Sequence, residues 1–207
     1  MSFNSDGFTV GDNSDSGNYV NLSANTYVAW GWKAGNSTVV DNSGTISVTR
    51  STNVDAGFSI ISYDKNATAG ATIAHGLGKA PEWIIVKDRI VANDWMCWHT
   101  GIPSTHYISL NQLIAQTDHV TRWNDTDPDA NFITLGSAGH VNGPDGPSYI
   151  AYAWTGIEGY SKFGSYEGNG NTDGPFVYLG FRPAWIMVKN VDQGSSCLLY
   201  TSDAADE

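Results

Sequence analysis

The stretch Trp83-Ile84-Ile85-Val86-Lys87, entered through His75-Gly76-Leu77-Gly78-Lys79-Ala80-Pro81-Glu82, decides how this chain folds. It is a short apolar run with β-branched residues, and the glycines and proline before it punctuate the chain ahead of a strand. The chain then says it again: Tyr178-Leu179-Gly180-Phe181-Arg182-Pro183-Ala184 leads into Trp185-Ile186-Met187-Val188-Lys189. Other segments recur with it. Gly57-Phe58-Ser59-Ile60-Ile61-Ser62-Tyr63 returns as Gly159-Tyr160-Ser161-Lys162-Phe163-Gly164-Ser165-Tyr166, and Phe8-Thr9-Val10 returns within Phe132-Ile133-Thr134-Leu135. Tyr27-Val28-Ala29-Trp30-Gly31-Trp32 returns as Tyr149-Ile150-Ala151-Tyr152-Ala153-Trp154.

These recurrences define a unit and cut the chain into pieces of it. Residues 57–157 make one complete copy, with strands expected at 58–63, 71–75, 83–88, 95–99, 106–110, 120–123, 132–135 and 149–154. That pattern predicts an all-β fold, an antiparallel β-sandwich or jelly-roll-like module of about 100 residues. Residues 1–35 read as the closing hairpin of a preceding unit, and 158–196 as the opening strands of a following, truncated one. Between them, 36–56 alternates Ser, Thr, Asn, Asp and Val and reads as a linker with one edge strand near 45–49. The chain thus reads as a window on a tandem array. Its two partial units, each with half a core, are expected to complete one another.

Composition agrees. The 23 glycines and 12% aromatic content suit many turns around aromatic strands, and no helical period persists. A net charge of -11 disfavours nucleic acid, because phosphate binding needs clustered Lys and Arg. No apolar run is long enough for membrane insertion, and the polar start, Met1-Ser2-Phe3-Asn4-Ser5-Asp6, is no signal peptide. Residues 197–207 resemble the in-frame translation of a transposase sequencing adapter, a familiar contaminant of open reading frames called from environmental reads. Without them the net charge falls to -8, since Asp203, Asp206 and Glu207 go, and Cys97 remains as the one native cysteine.

Candidate chemistry is sparse. The five histidines lack the spacing of a zinc site. Asp125, Asp127 and Asp129 alternate within Asn124-Asp125-Thr126-Asp127-Pro128-Asp129 and are candidate Ca2+ ligands, although an Asx-rich turn uses the same residues to bond its own backbone. No other cofactor is expected. The glutamates before the tail, Glu82, Glu158 and Glu167, stand apart from one another in sequence, unlike the carboxylate pair of a glycosidase, and no Gly-x-Ser-x-Gly elbow occurs. The aromatics are the stronger population. Trp95-Met96-Cys97-Trp98-His99 alternates, so one face is expected in the core while the other offers rings to solvent. Trp95, Trp98, His99, Tyr107 and Trp123 are the candidate binding platform for a sugar ring, with burial in the core as the competing role.

As a set, the motifs resemble a domain of unknown function common in tailed, mainly marine, bacteriophages. They are Tyr-Val-Ala-Trp-Gly-Trp-Lys-Ala-Gly at 27–35, His-Gly-Leu-Gly-x-Ala-Pro-x-Trp-Ile-Ile-Val-Lys at 75–87, Trp-x-x-Trp-His-x-Gly at 95–101, Tyr-x-x-Leu-Asn at 107–111 and Gly-Tyr-Ser-Lys-Phe-Gly-Ser-Tyr at 159–166. The resemblance implies a virion structural or tail-fibre-like protein and transfers no catalytic residue. Its expected partners are other virion proteins, copies of itself and host-surface glycans, and its place is the virion, assembled in the host cytoplasm. The expectation is a non-enzymatic module acting as spacer or glycan-recognition element. The alternatives are a fragment of a carbohydrate-active depolymerase and a purely structural repeat.

Overall fold

The decisive stretch forms β7 (Trp83–Asp88), which lies between β8 (Met96–His99) and β12 (Ser148–Trp154) inside an eight-stranded antiparallel sheet. The computed structural model describes residues 2–11, 20–27, 29–144 and 148–201. From edge to edge the sheet runs β10 (Thr117–Asp118), β9 (His106–Ser109), β8, β7, β12, β5 (Phe58–Asp64), β4 (Val48–Asn53) and β3 (Val39–Asp41). A second, two-stranded sheet pairs β6 (Ala71–Ala74) with β11 (Phe132–Leu135). The architecture is an all-β antiparallel sandwich with unequal layers. By contacts the chain divides into two units, Met1–Trp32 and Lys33–Glu207, and the sandwich belongs to the second.

Cross-strand register shows how the core is built. One face of the large sheet carries Ile61, Tyr63, Ile84, Val86, Met96, Trp98, Tyr149, Ala151 and Ala153, aligned strand to strand. These side chains share a core with Ile73, Ile133 and Leu135 of the small sheet. Two buried tyrosines finish it: Tyr63 Oη donates to the Val141 carbonyl at 2.7 Å and Tyr149 Oη to that of Gly139 at 2.6 Å. Both hydroxyls therefore keep the partner that burial demands.

The opposite face is also covered. Phe58, Trp154, Trp83 and His99 stand in one cross-strand row. Trp154 stacks on Phe58 with ring centroids 4.9 Å apart and on Trp83 at 4.3 Å. Phe163, from the segment after the sheet, lies against Trp83 at 6.0 Å and His99 at 6.4 Å, and Met187 and Val191 pack on the same core. The alternation in β8 predicts one solvent face. With layers on both sides, Met96, Cys97 and Trp98 are all buried instead.

Four expectations are corrected. Residues 36–56 are no linker: they supply β3 and β4, whose polar side chains reach the neighbouring layer, as when Thr52 Oγ1 donates to the His75 carbonyl at 3.0 Å. Residues 120–123 form a single helical turn, α1 (Val120–Trp123), closed by Asn124 in the left-handed region at φ 53°; the turn reverses the chain while burying Trp123. Among the described residues the hairpin expected between Phe8-Thr9-Val10 and 27–32 does not form: β2 (Phe8–Thr9) pairs with β1 (Ser2–Phe3), and Ala29 to Trp32 carry no strand, while residue 28 lies outside the described residues. Of the strands expected in 158–196, only β13 (Trp185–Lys189) forms, paired with β14 (Cys197–Thr201). Residues 202–207 of the adapter-like tail lie outside the described residues.

The glycine-rich entry to β7 folds around a histidine. His75 is fully buried; its Nδ1 accepts the Leu77 N–H at 3.2 Å, which assigns the proton to Nε2, 3.1 Å from the Asp129 carbonyl. Burial holds its pKa below the ordinary 6.5, and burial does the same for His99. Below pH 6.5 the unfolded chain takes up protons that the folded chain refuses, so stability falls as pH drops from there toward the lower folded values. Urea unfolding between neutral pH and about 5 is expected to show this loss, and His75→Asn to flatten it. A midpoint independent of pH would contradict the assignment.

Candidate glycan-binding surface

The structure disperses the five platform candidates. Trp98 and Trp123, 6% and 2% exposed, belong to the core; sequence had offered both as binding rings, and layer packing assigns them to structure. His99 faces the other side of the sheet, edge-on to Phe163, with its Nδ1 accepting the Gly101 N–H at 2.9 Å. Tyr107 is half-buried beneath the Arg122 guanidinium, whose carbon sits 4.9 Å from the ring centroid. Trp95 alone is exposed, at 39%. It precedes β8, and its carbonyl accepts the Leu110 N–H at 3.2 Å.

A polar cluster surrounds Trp95, and register builds it. Antiparallel pairing of β8 with β9 sets Met96 opposite Ser109, which brings Asp94 and Trp95 beside Asn111 and Gln112. The Trp95 N–H donates to Asn111 Oδ1 at 2.9 Å, and Ser109 Oγ donates to the same oxygen at 3.0 Å. Asn111 Nδ2 and Gln112 Nε2 both donate to Asp94 Oδ1, at 2.8 and 2.7 Å. The Gln112 amide first, then that of Asn111 and the charges of His140 and Arg122, hold the Asp94 carboxyl below its ordinary range, so it is ionised at neutral pH. Its Oδ2 has no protein partner among the described residues. An exposed indole beside an ionised acceptor and two exposed amides can take the apolar face of a pyranose on the ring and its hydroxyls on the polar groups. Asp94, Asn111 and Gln112 went unselected in the sequence, although Tyr-x-x-Leu-Asn at 107–111 marks one of them.

The acidic loop behaves differently. Asp129 Oδ1 accepts the N–H groups of Asn131 and Phe132, each at 2.7 Å, and these bonds lower its pKa. Asp125 and Asp127 are exposed, and among the described residues no three His, Cys, Asp or Glu side chains gather to hold a metal ion. The geometry of Asp129 is that of an Asx turn opening β11. Glu82, one of the isolated glutamates, is likewise used structurally: its Oε2 accepts the Gly156 N–H at 2.6 Å.

Hollows among the described residues lie elsewhere. One of about 480 Å³ is lined by Thr45 and Ser47, which lead into β4, by Thr49 of β4 and by Ser62 of β5. The other, about 250 Å³, sits where Arg50 meets Gly76, and there Arg50 Nε already pairs with Asp41 Oδ2 at 3.0 Å.

Comparison with known proteins gives one match: the model of a family described as a domain of unknown function (DUF7483) matches residues 1–206. No curated protein and no solved structure matches the chain.

Proposed function

Because the chain belongs to the DUF7483 family, whose description carries no activity, we propose its function from its own surfaces: a non-enzymatic module of a tailed-phage virion protein that recognises a host-surface glycan. The observation that carries the recognition role is Trp95, an exposed indole bordered by Asp94, Asn111 and Gln112 in a fixed hydrogen-bond network. The virion context rests on the resemblance of the motifs at 27–35, 75–87, 95–101, 107–111 and 159–166. A shallow site of this kind binds weakly alone, and repeated copies along a fibre raise the effective affinity through avidity.

The test is a glycan array and a bacterial-surface binding assay on the full chain beside Trp95→Ala. Because the ring is 39% exposed, its removal is expected to cost clearly less than the about 3–5 kcal/mol of a buried tryptophan and to leave the chain folded. Binding is expected to fall roughly tenfold or more. Binding unchanged in a folded Trp95→Ala chain would reject this surface. A folded wild-type chain that binds nothing would leave the spacer role as the function.

A further inference from the structure

Arg50 is held more firmly than a surface cation needs to be. It lies in β4 beside β3, and three contacts fix its guanidinium. Nε donates to Asp41 Oδ2 at 3.0 Å, Nη1 donates to Thr52 Oγ1 at 3.1 Å, and the group lies against Gly76, where any side chain would collide with it. Each support is itself supported. Asp41 Oδ1 accepts the Ser43 hydroxyl at 2.6 Å and the Ser43 N–H at 2.9 Å, and these bonds, the hydroxyl's first, hold its carboxyl down to about 2. The Thr52 hydroxyl donates to the His75 carbonyl at 3.0 Å. Gly76 sits at φ 72°, a conformation that suits glycine, so main chain and guanidinium meet closely there.

These contacts use two of the five N–H bonds of the guanidinium. The two on Nη2 and one on Nη1 have no protein partner among the described residues. They are not sealed in the core either: the Arg50 side chain is 20% exposed and borders the hollow of about 250 Å³. That hollow opens where β3 and β4 meet one end of the small sheet. Ala74, Gly76, Gly78 and Ala130 keep it clear, because none of them carries more than a methyl group. Asn131, exposed on the rim, is tied through its main-chain N–H to Asp129, and its side-chain amide has no protein partner among the described residues. Both Asp41 oxygens already accept hydrogen bonds. The hollow therefore offers an excess of donors, most of them on a cation.

We infer that this hollow is a second sugar site, separate from Trp95, that holds the carboxylate of a uronate residue on the free N–H groups of Arg50 while the Asn131 amide donates to the same residue. Unpaired donors call for a ligand that accepts without bringing protons of its own, and each hydroxyl of a neutral sugar brings one. A carboxylate brings none, and guanidinium N–H groups match it in charge and spacing. A phosphate dianion suits the place less well, because Asp41 already offsets the one cation and the chain carries a net charge of -11. The volume lies below the roughly 300–1,000 Å³ of pockets for drug-sized ligands, which matches one monosaccharide residue. The carboxylate follows from Arg50 itself, and its placement on a sugar rests on the glycan reading above. The overall charge repels an acidic polymer, so the site is weak singly and gains from repetition.

Saturation-transfer NMR on the full chain, titrated with glucuronate and glucose and with acetate and inorganic phosphate as competitors, tests it. Glucuronate is expected to bind at least tenfold more tightly than glucose and to withstand equal concentrations of acetate or phosphate. Arg50→Lys keeps the charge but loses the planar fork, and is expected to weaken glucuronate at least tenfold. Ala130→Phe fills the hollow from its exposed rim without touching the Arg50–Asp41 pair, and is expected to abolish binding in a folded chain, which keeps the test decisive should Arg50→Lys disturb the fold. A wild-type chain that does not bind glucuronate overturns the inference, as does glucose binding equally well. Displacement by acetate overturns the sugar, and displacement by phosphate overturns the carboxylate. Glucuronate binding that survives both variants, or that is lost in Trp95→Ala, places the ligand on another surface and overturns the site.

Discussion

Trp154→Ala is expected to cost about 3–5 kcal/mol, a large part of the 5–15 kcal/mol that holds a domain of this size. The ring is 7% exposed and is sandwiched between Phe58 and Trp83, so its loss opens a cavity that two facing aromatic rings cannot close without leaving their own contacts. The backbone ties the same point. The Trp154 carbonyl accepts the Glu82 N–H at 2.7 Å, and the Thr155 N–H donates to Gly57 at 2.9 Å, so the row sits where three strands begin or end. Relaxation there disturbs β5, β7 and β12 together. Urea denaturation reads the effect as a fall in midpoint, and Trp154→Phe is expected to recover part of it by filling part of the space. A midpoint close to wild type for Trp154→Ala would show that the row is not a principal element of the core.

Asp88→Ala is the second large effect, about 3 kcal/mol, through polar groups rather than volume. Asp88 ends β7 and is 2% exposed. Its Oδ1 accepts the N–H groups of Ile90 and Val91 at 2.8 and 2.9 Å, and its Oδ2 accepts Asn93 Nδ2 at 3.1 Å. Alanine leaves three donors short of an acceptor in a loop whose other end is Asp94 and Trp95. Both stability and the binding surface are therefore expected to suffer, which separates this variant from Trp95→Ala, where binding falls alone. Asp88→Asn keeps one acceptor oxygen but turns its NH2 toward the Asn93 amide, so an intermediate loss of midpoint is expected. Equal stability of Asp88→Ala and wild type would mean that water satisfies these groups and the loop needs no carboxylate.

The strands most legible in the sequence are those whose side chains are buried by type. Phe58, Ile61, Trp83, Ile84, Val86, Tyr149 and Trp154 announce β5, β7 and β12 because large apolar residues alternate with, or run through, β-branched neighbours. β4 is hidden because Val48-Thr49-Arg50-Ser51-Thr52-Asn53 buries mainly one valine and spends its polar groups on bonds to other elements, such as Arg50 with Asp41 and Thr52 with His75. Composition cannot tell such a strand from a linker. Val120-Thr121-Arg122-Trp123 fails the other way: its β-branched start looks like a strand, while the chain reversal before β11 demands a turn.

The candidate surface was half visible. An alternating strand places Trp95 and Trp98 on opposite faces but does not say which face is covered, and the small sheet lies over the one that carries Trp98. The carboxylate and amides beside Trp95 come from residues 17 and 18 positions apart, joined only by the β8–β9 register. Nothing local in the sequence states that register.

Cys97 sits at the centre of β8 with no exposed surface, and burial pushes its thiol well above its ordinary pKa of 9.0. Both cysteines are free. A thiol sealed in this way supplies almost no thiolate to an oxidant or to a second thiol while the sheet is closed. The sandwich consequently needs no oxidising compartment to fold and loses nothing in a reducing one. Its integrity is indifferent to the redox change between the interior of a cell and the medium outside it.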